Sequence, residues 1–194
     1  VLLGIKDRDT FPLIFYRDNC ADMAITASDV DESYIASARC LAITGTHLSH
    51  PQTREAVLTA LGYARRHGVR TVLDIDYRPV LWGLTSLGDG ETRFIAADQV
   101  TRELQEVLHL FDVIVAENGS LLYFPERQEE RLVALAPPPE LVAALRTRCV
   151  EPMSVGRGII ATWEPNETTV LECIHELGLE WQIIFNKGAV MVLP

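Results

Sequence analysis

Apolar positions fall in short runs separated by polar punctuation. Val1–Lys6 and Phe11–Arg17 (FPLIFYR) read as two short strands, and the polar KDRDT between their apolar cores suits a hairpin-like connection. Across Thr26–Arg39, Tyr34, Ile35 and Ala38 recur at helical spacing among acids and small residues, ahead of a strand at Cys40–Thr44. Pro51 then opens a helix, since proline is tolerated in the first turn, where its missing N–H has no partner to lose. Val57, Ala60, Leu61 and Ala64 form the apolar stripe of that helix, and Arg65, Arg66 and Gly68 supply a basic last turn and a glycine stop.

The pattern then repeats. Val69–Ile75 (VRTVLDI) is a β-branched apolar strand, Ala96–Phe111 a helix carrying Ala97, Val100, Leu104, Val107, Leu108 and Phe111 on one side, and Asp112–Ala116 a further strand. Strands apolar on both faces, alternating with amphipathic helices, specify a parallel sheet covered by helices. From Cys40 to Ala116 the order is β-α-β-α-β. Further on, PPP at 137–139 is expected to interrupt helix, Glu140–Cys149 and Glu167–Leu177 are helical, and Gly158–Trp163 suits a strand. Trp181–Phe185 and Ala189–Leu193 suit two strands joined by the turn signal NKG.

Composition narrows the options. The chain has 194 residues, of which 48% are hydrophobic, so it can bury a core and is not a disordered segment. Lys and Arg number 17 against 27 Asp and Glu, a net charge of −10, and no basic face is visible. That argues against a general binder of nucleic acid or of anionic membrane. No apolar run reaches the roughly 20 residues of a spanning helix, so no membrane partner is expected. Cys20, Cys40, Cys149 and Cys173 are scattered without a CxxC pair, as free thiols of a cytoplasmic protein would be. The chain opens on VLLGI without Met and stops just after AVMVL, which suggests part of a longer protein.

Candidate chemistry concentrates in two places. Asp74-Ile75-Asp76-Tyr77-Arg78-Pro79-Val80-Leu81-Trp82 begins at the C-terminal end of a buried strand, where open α/β sheets bind ligands. Arg78 there offers a planar fork for carboxylate or phosphate oxygens, although an ion-paired loop packed by Pro79 and Trp82 would read the same way. Tyr16-Arg17-Asp18-Asn19 ends an earlier strand and could hydrogen-bond a hydroxylated anion, or be an ordinary edge-strand terminus. His47-Leu48-Ser49-His50 lacks the glutamate and third ligand of a zinc site, so a polar linker is the better reading. Gly156-Arg157-Gly158 resembles a phosphate loop only superficially, because neither GxxxxGK[ST] nor GxGxxG occurs in the chain.

The strings KDRDTFPLIFYRDNCADMAI (6–25), ITGTHLS (43–49) and DIDYRPVLWGL (74–84) closely resemble the PfkB, or ribokinase-like, sugar kinases, and within them kinases of acidic keto-sugars. The resemblance is dense to about Ala116 and thin beyond it. It implies a ribokinase-like three-layer α/β/α sandwich with a small β lid, incomplete at both ends: residues 1–17 as lid or edge strands, 40–116 as the core and 125–170 as an atypical segment. It also implies ATP and Mg²⁺ as cofactors, a small sugar acid as substrate and a homo-oligomeric full-length parent. Tyr16, Arg17 and Arg78 match substrate-side positions, and Asn118, Lys187 and Gly188 fall on the nucleotide side. The chain departs from the family in two respects. The family's catalytic GAGD is absent, so this chain by itself is expected to be inactive. Its metal-linked NxxE falls near Glu117-Asn118-Gly119-Ser120, with serine in place of the last acid. Alternatives are a kinase of 2-keto-3-deoxygluconate or fructose, and a non-catalytic sugar-acid-binding relative.

Overall fold

The computed structural model describes residues 2–3, 13–14, 19–76, 79–82, 104–186 and 188–194. Contacts divide the chain into two compact units. One comprises residues 1–114 and 124–129, the other residues 115–123 and 130–194.

In the first unit, β1 (Leu2–Leu3) and β2 (Leu13–Ile14) form a separate two-stranded antiparallel sheet, with Leu2 opposite Ile14 and Leu3 opposite Leu13. This antiparallel pairing is that of the hairpin expected there, and the rest of both expected strands lies outside the described residues. The 26–39 segment is less regular than its spacing suggests. A 3-10 turn at Ala27–Asp29 precedes the helix α1 (Glu32–Ser37), whose first turn is capped by the Asp31 carboxylate accepting from the Tyr34 amide at 3.0 Å. Only Ile35 of α1 is buried; Tyr34, counted on the apolar stripe, is 75% exposed. Six residues make too short a helix to bury a continuous stripe.

The core of this unit follows the expected order. β3 (Cys40–Thr44) pairs in parallel with β4 (Arg70–Asp74), Cys40 opposite Arg70 through Thr44 opposite Asp74, and β5 (Val113–Ala116) lies on the other side of β4. Between β3 and β4 runs α2 (Pro51–Arg66), with Pro51 at its start and Gly68 in the left-handed region just past its end (φ 65°). Its buried positions are Thr53, Ala56, Ala60, Leu61 and Ala64, a three-four spacing that lays one face on the core. Most are alanine, so the helix can approach closely. Ala60 and Ala64 cluster with Ile35 and Val69. Of the 96–111 helix, residues 104–108 are described as helical, with Leu104, Val107 and Phe111 buried. The start of β5 is tied to β4 by side chains as well as backbone: the Asp112 carboxylate accepts from the Thr71 amide at 2.7 Å and from its hydroxyl at 3.0 Å.

In the second unit the strand order is β10-β11-β9-β8, all pairs antiparallel. β8 is Ser154–Val155, β9 Ile160–Trp163, β10 Gln182–Asn186 and β11 Ala189–Leu193. Asn186 pairs with Ala189, so the NKG signal marks a two-residue hairpin with Gly188 at φ 82°. β10 is an edge strand on which Ile184 and Phe185 are 43% and 56% exposed. Two helices, α3 (Pro139–Thr147) and α4 (Glu167–Glu176), supply Leu141, Leu145, Val170, Cys173 and Ile174 to a core completed by Val150, Ile160, Trp181 and Val192. The proline run ends by opening a helix, since Pro139 occupies its first turn. Sequence periodicity did not reveal β6 (Leu121–Phe124) or β7 (Glu129–Leu132), which flank a 3-10 turn at Pro125–Arg127. The architecture is α/β, and the β3–β4 pair carries the parallel pairing expected of it. No described helix is long and apolar enough to cross a membrane.

Candidate functional site

In the first unit, the C-terminal ends of β3 and β4 are bound together by the polar residues of ITGTHLS. The Thr46 hydroxyl donates to the Asp76 carbonyl at 3.0 Å, and a Cβ on Gly45 would stand 3.2 Å from the same oxygen. Glycine at 45 is therefore what lets the two loops approach so closely. Thr44 Oγ1 and His47 Nδ1 are 2.9 Å apart, Ser49 donates to the Thr46 carbonyl, and the buried Thr53 hydroxyl lies 3.0 and 3.1 Å from the carbonyls of His47 and His50. His47 and His50 thus belong to a tightly turned linker ahead of α2. Among the described residues of this unit, His50 Nδ1 and Trp82 Nε1 are buried without a partner. Both follow the C-terminal ends of parallel strands, where α/β sheets bind ligands. Tyr16, Arg17 and Arg78 lie outside the described residues.

The nucleotide-side candidates fall in the second unit. Glu117-Asn118-Gly119-Ser120 forms a 3-10 turn in which Glu117 and Asn118 both adopt left-handed backbone, at φ 51° and 54°. For residues with a Cβ this costs on the order of 1–2 kcal/mol each. Side-chain bonds hold the turn. Ser120, 7% exposed, donates its hydroxyl to the Glu117 carbonyl. The Glu117 carboxylate accepts from two consecutive amides of the 156–158 turn, Arg157 N to Oε1 at 3.0 Å and Gly158 N to Oε2 at 2.7 Å. The turn is tight: a Cβ at Gly158 would lie 2.6 Å from Ser120 Cβ, and one at Gly156 would lie 2.7–2.8 Å from the Glu117 carboxyl group and push it aside. Asn118 is exposed, and its Nδ2 donates to Met191 Sδ at 3.4 Å, a weak acceptor. Gly188 stands three residues earlier on the same hairpin, its absent Cβ 3.7 Å from the Trp163 ring. Asn118 and Gly188 therefore share one sheet's surroundings, while Lys187 lies outside the described residues.

The geometry also tests the implied metal. Among the described residues no group of three or more His, Cys, Asp or Glu is placed to hold an ion. Glu117 spends both oxygens on backbone amides, and Ser120 sits where an acid was expected. The described residues thus present no preassembled set of three ligands, whereas a Mg²⁺ ion carried in on nucleotide phosphates needs only one or two carboxylates from the protein.

No family model matches the chain. Curated proteins do. It is 50% identical over 78 residues to the 5-dehydro-2-deoxygluconokinase of Geobacillus kaustophilus (strain HTA426), covering 40% of this chain and 23% of that protein. The protein of the same name from Mesomycoplasma hyopneumoniae (strain 7448) is 39% identical over 110 residues, 57% of this chain and 27% of the relative. The chain is similar to PfkB-like carbohydrate kinases. The match spans about a quarter of the length of these relatives. Among solved structures, a PfkB protein from Polaromonas sp. JS666 aligns at TM-score 0.44 and 20% identity over 74% of this chain and 58% of that one. A fructokinase from Xylella fastidiosa aligns at 0.43 and 15%, over 84% and 55%.

The 156–158 turn is the feature sequence reasoning undervalued. A glycine pair around one residue, with a glutamate some forty positions earlier, carries no recognisable phosphate-loop spacing. Only the fold brings the two together.

Proposed function

We propose that this chain is part of an ATP-dependent kinase that phosphorylates an acidic keto-sugar, 5-dehydro-2-deoxy-D-gluconate, in myo-inositol catabolism in the cytoplasm. The observation that carries this reading is the 50% identity over 78 residues to a protein of that named activity. The residues support it chemically. Arg78, four positions past the end of β4, offers a guanidinium fork suited to a sugar carboxylate, and Tyr16 and Arg17 add a hydroxyl and a second cation. Such groups bind and orient the sugar, which is much of what phosphoryl transfer requires of a protein. Asn118, Lys187 and Gly188 are proposed to face the nucleotide, and ATP with a divalent metal would supply the transferred group and neutralise its charge.

The test measures ADP release coupled to sugar phosphate formation with 5-dehydro-2-deoxygluconate, 2-keto-3-deoxygluconate and fructose. The full-length parent should turn over the first best, and preference for either of the others would transfer the proposal to that sugar. The 194-residue chain, which contains no GAGD, should show no turnover. A rate near 1 s⁻¹ or above, in the range of about 1–10³ s⁻¹ usual for enzymes, would refute that part. A second reading, a non-catalytic sugar-acid binder, draws on the engagement of Glu117 with backbone amides. It predicts saturable sugar-acid binding by calorimetry and no turnover by the parent.

A further inference from the structure

We propose that the Gly156–Gly158 turn is an anion site held shut by the chain's own Glu117, and that it accepts a phosphate group once Glu117 leaves. Consecutive backbone amides converging on one point form a concave, electropositive nest that selects anionic oxygen. Here the amides of Arg157 and Gly158 are already loaded with such oxygens, at 3.0 and 2.7 Å, so their ability to hold an anion is visible directly. The turn is built for close approach: any side chain at 156 would collide with the bound carboxyl group. The Arg157 side chain is 69% exposed, and its guanidinium pairs with Glu130 at 3.2 Å.

A phosphate presents more acceptor oxygens and more charge than a carboxylate to the same donors. Glu117 competes because it is tethered, which gives it a high effective concentration at the nest. Its backbone and that of Asn118 both lie in the left-handed region, at φ 51° and 54°. The site is thus closed by a contact that a phosphate can replace, and this inference does not depend on the kinase reading.

Amide chemical shifts of Arg157 and Gly158 in the whole chain, titrated with inorganic phosphate against chloride at matched ionic strength, test it. E117A should give saturable shifts at both amides, with a dissociation constant at least tenfold lower than the wild type. E117Q keeps the side-chain shape without its charge and should fall between them. It decides the matter if E117A does not fold. Parallel titrations with ADP and with glucose 6-phosphate separate a nucleotide from a sugar phosphate as the carrier, and tighter binding of either supports the site. Three results would overturn the proposal: no saturable shift in a folded Glu117 variant, equal shifts with chloride, or wild-type binding as tight as that of E117A.

Discussion

Gly158→Ala isolates the closest contact in the second unit. Its new Cβ would stand 2.6 Å from Ser120 Cβ, 2.9 Å from Ser120 Oγ and 3.1 Å from Leu132 Cδ1. Leu132 can yield, because the contact is the end of a flexible side chain. Ser120 cannot yield freely, because its amide and its hydroxyl both donate to the Glu117 carbonyl. Overpacking of this kind costs about 1–3 kcal/mol, and displacing Ser120 forfeits about 1 kcal/mol more in hydrogen bonding. The expected loss is therefore about 2–4 kcal/mol. Urea unfolding in a W82F background leaves Trp163 and Trp181, both in this unit, as reporters. A slope of about 2 kcal/mol per molar turns that loss into a midpoint shift of roughly 1–2 M. S120G alone should cost about 1–2 kcal/mol, from backbone entropy and the lost hydroxyl. The double variant should be no less stable than S120G, because the clashing atoms are gone. Strictly additive losses, or a G158A protein as stable as its parent, would refute the steric argument.

Leu141→Ala removes a fully buried side chain from the core beneath α3 and α4, and should cost about 2–5 kcal/mol by the same unfolding measurement. Asp112→Ala deprives the buried Thr71 amide of its acceptor and leaves its hydroxyl only the Leu110 carbonyl, at 3.2 Å, and should cost about 1–3 kcal/mol. Arg148 pairs with Glu172 and Glu176 and holds the Glu176 carboxyl below the usual carboxylate range. A depressed carboxyl stabilises the fold above its unfolded value and loses that contribution as pH falls through its folded one. The stability gap between wild type and R148Q, read from urea curves at each pH, should thus be present near neutrality and close on acidification below about 4.5. Burial pushes the Cys173 thiol up, so a thiol-specific dye should label exposed Cys40 and Cys149 first and Cys173 only on unfolding.

Periodicity was most informative where one element meets one continuous core. β3 matches its expected bounds, α2 begins at Pro51 with its stripe inward, and the NKG hairpin pairs as the turn chemistry requires. It failed where local pattern does not decide. Tyr34 sits at helical spacing with Ile35 but faces solvent, because α1 is too short to bury both. β6 has no alternation: LLYF is half-buried throughout, and β7, EERL, is largely exposed. Neither carries the contrast that marks a strand. The engagement of Glu117 with the 156–158 turn is non-local, joining residues some forty positions apart, so no window of sequence could display it. The substrate-side assignment of Tyr16, Arg17 and Arg78 rests on the residue strings alone.

The exposed edge strand has a consequence for handling the protein. β10 reads QIIFN, five uncharged residues preceded by Trp181 and followed by Lys187, and no described strand covers its outer side. Open edges of this kind template the pairing of further chains. At neutral pH the net charge of −10 keeps copies apart. Near the isoelectric point of about 4.9 that repulsion vanishes while the backbone groups of the edge remain unpaired. Colloidal stability should therefore fail in mild acid before the native packing does, with turbidity rising at a pH where the circular dichroism spectrum is still native.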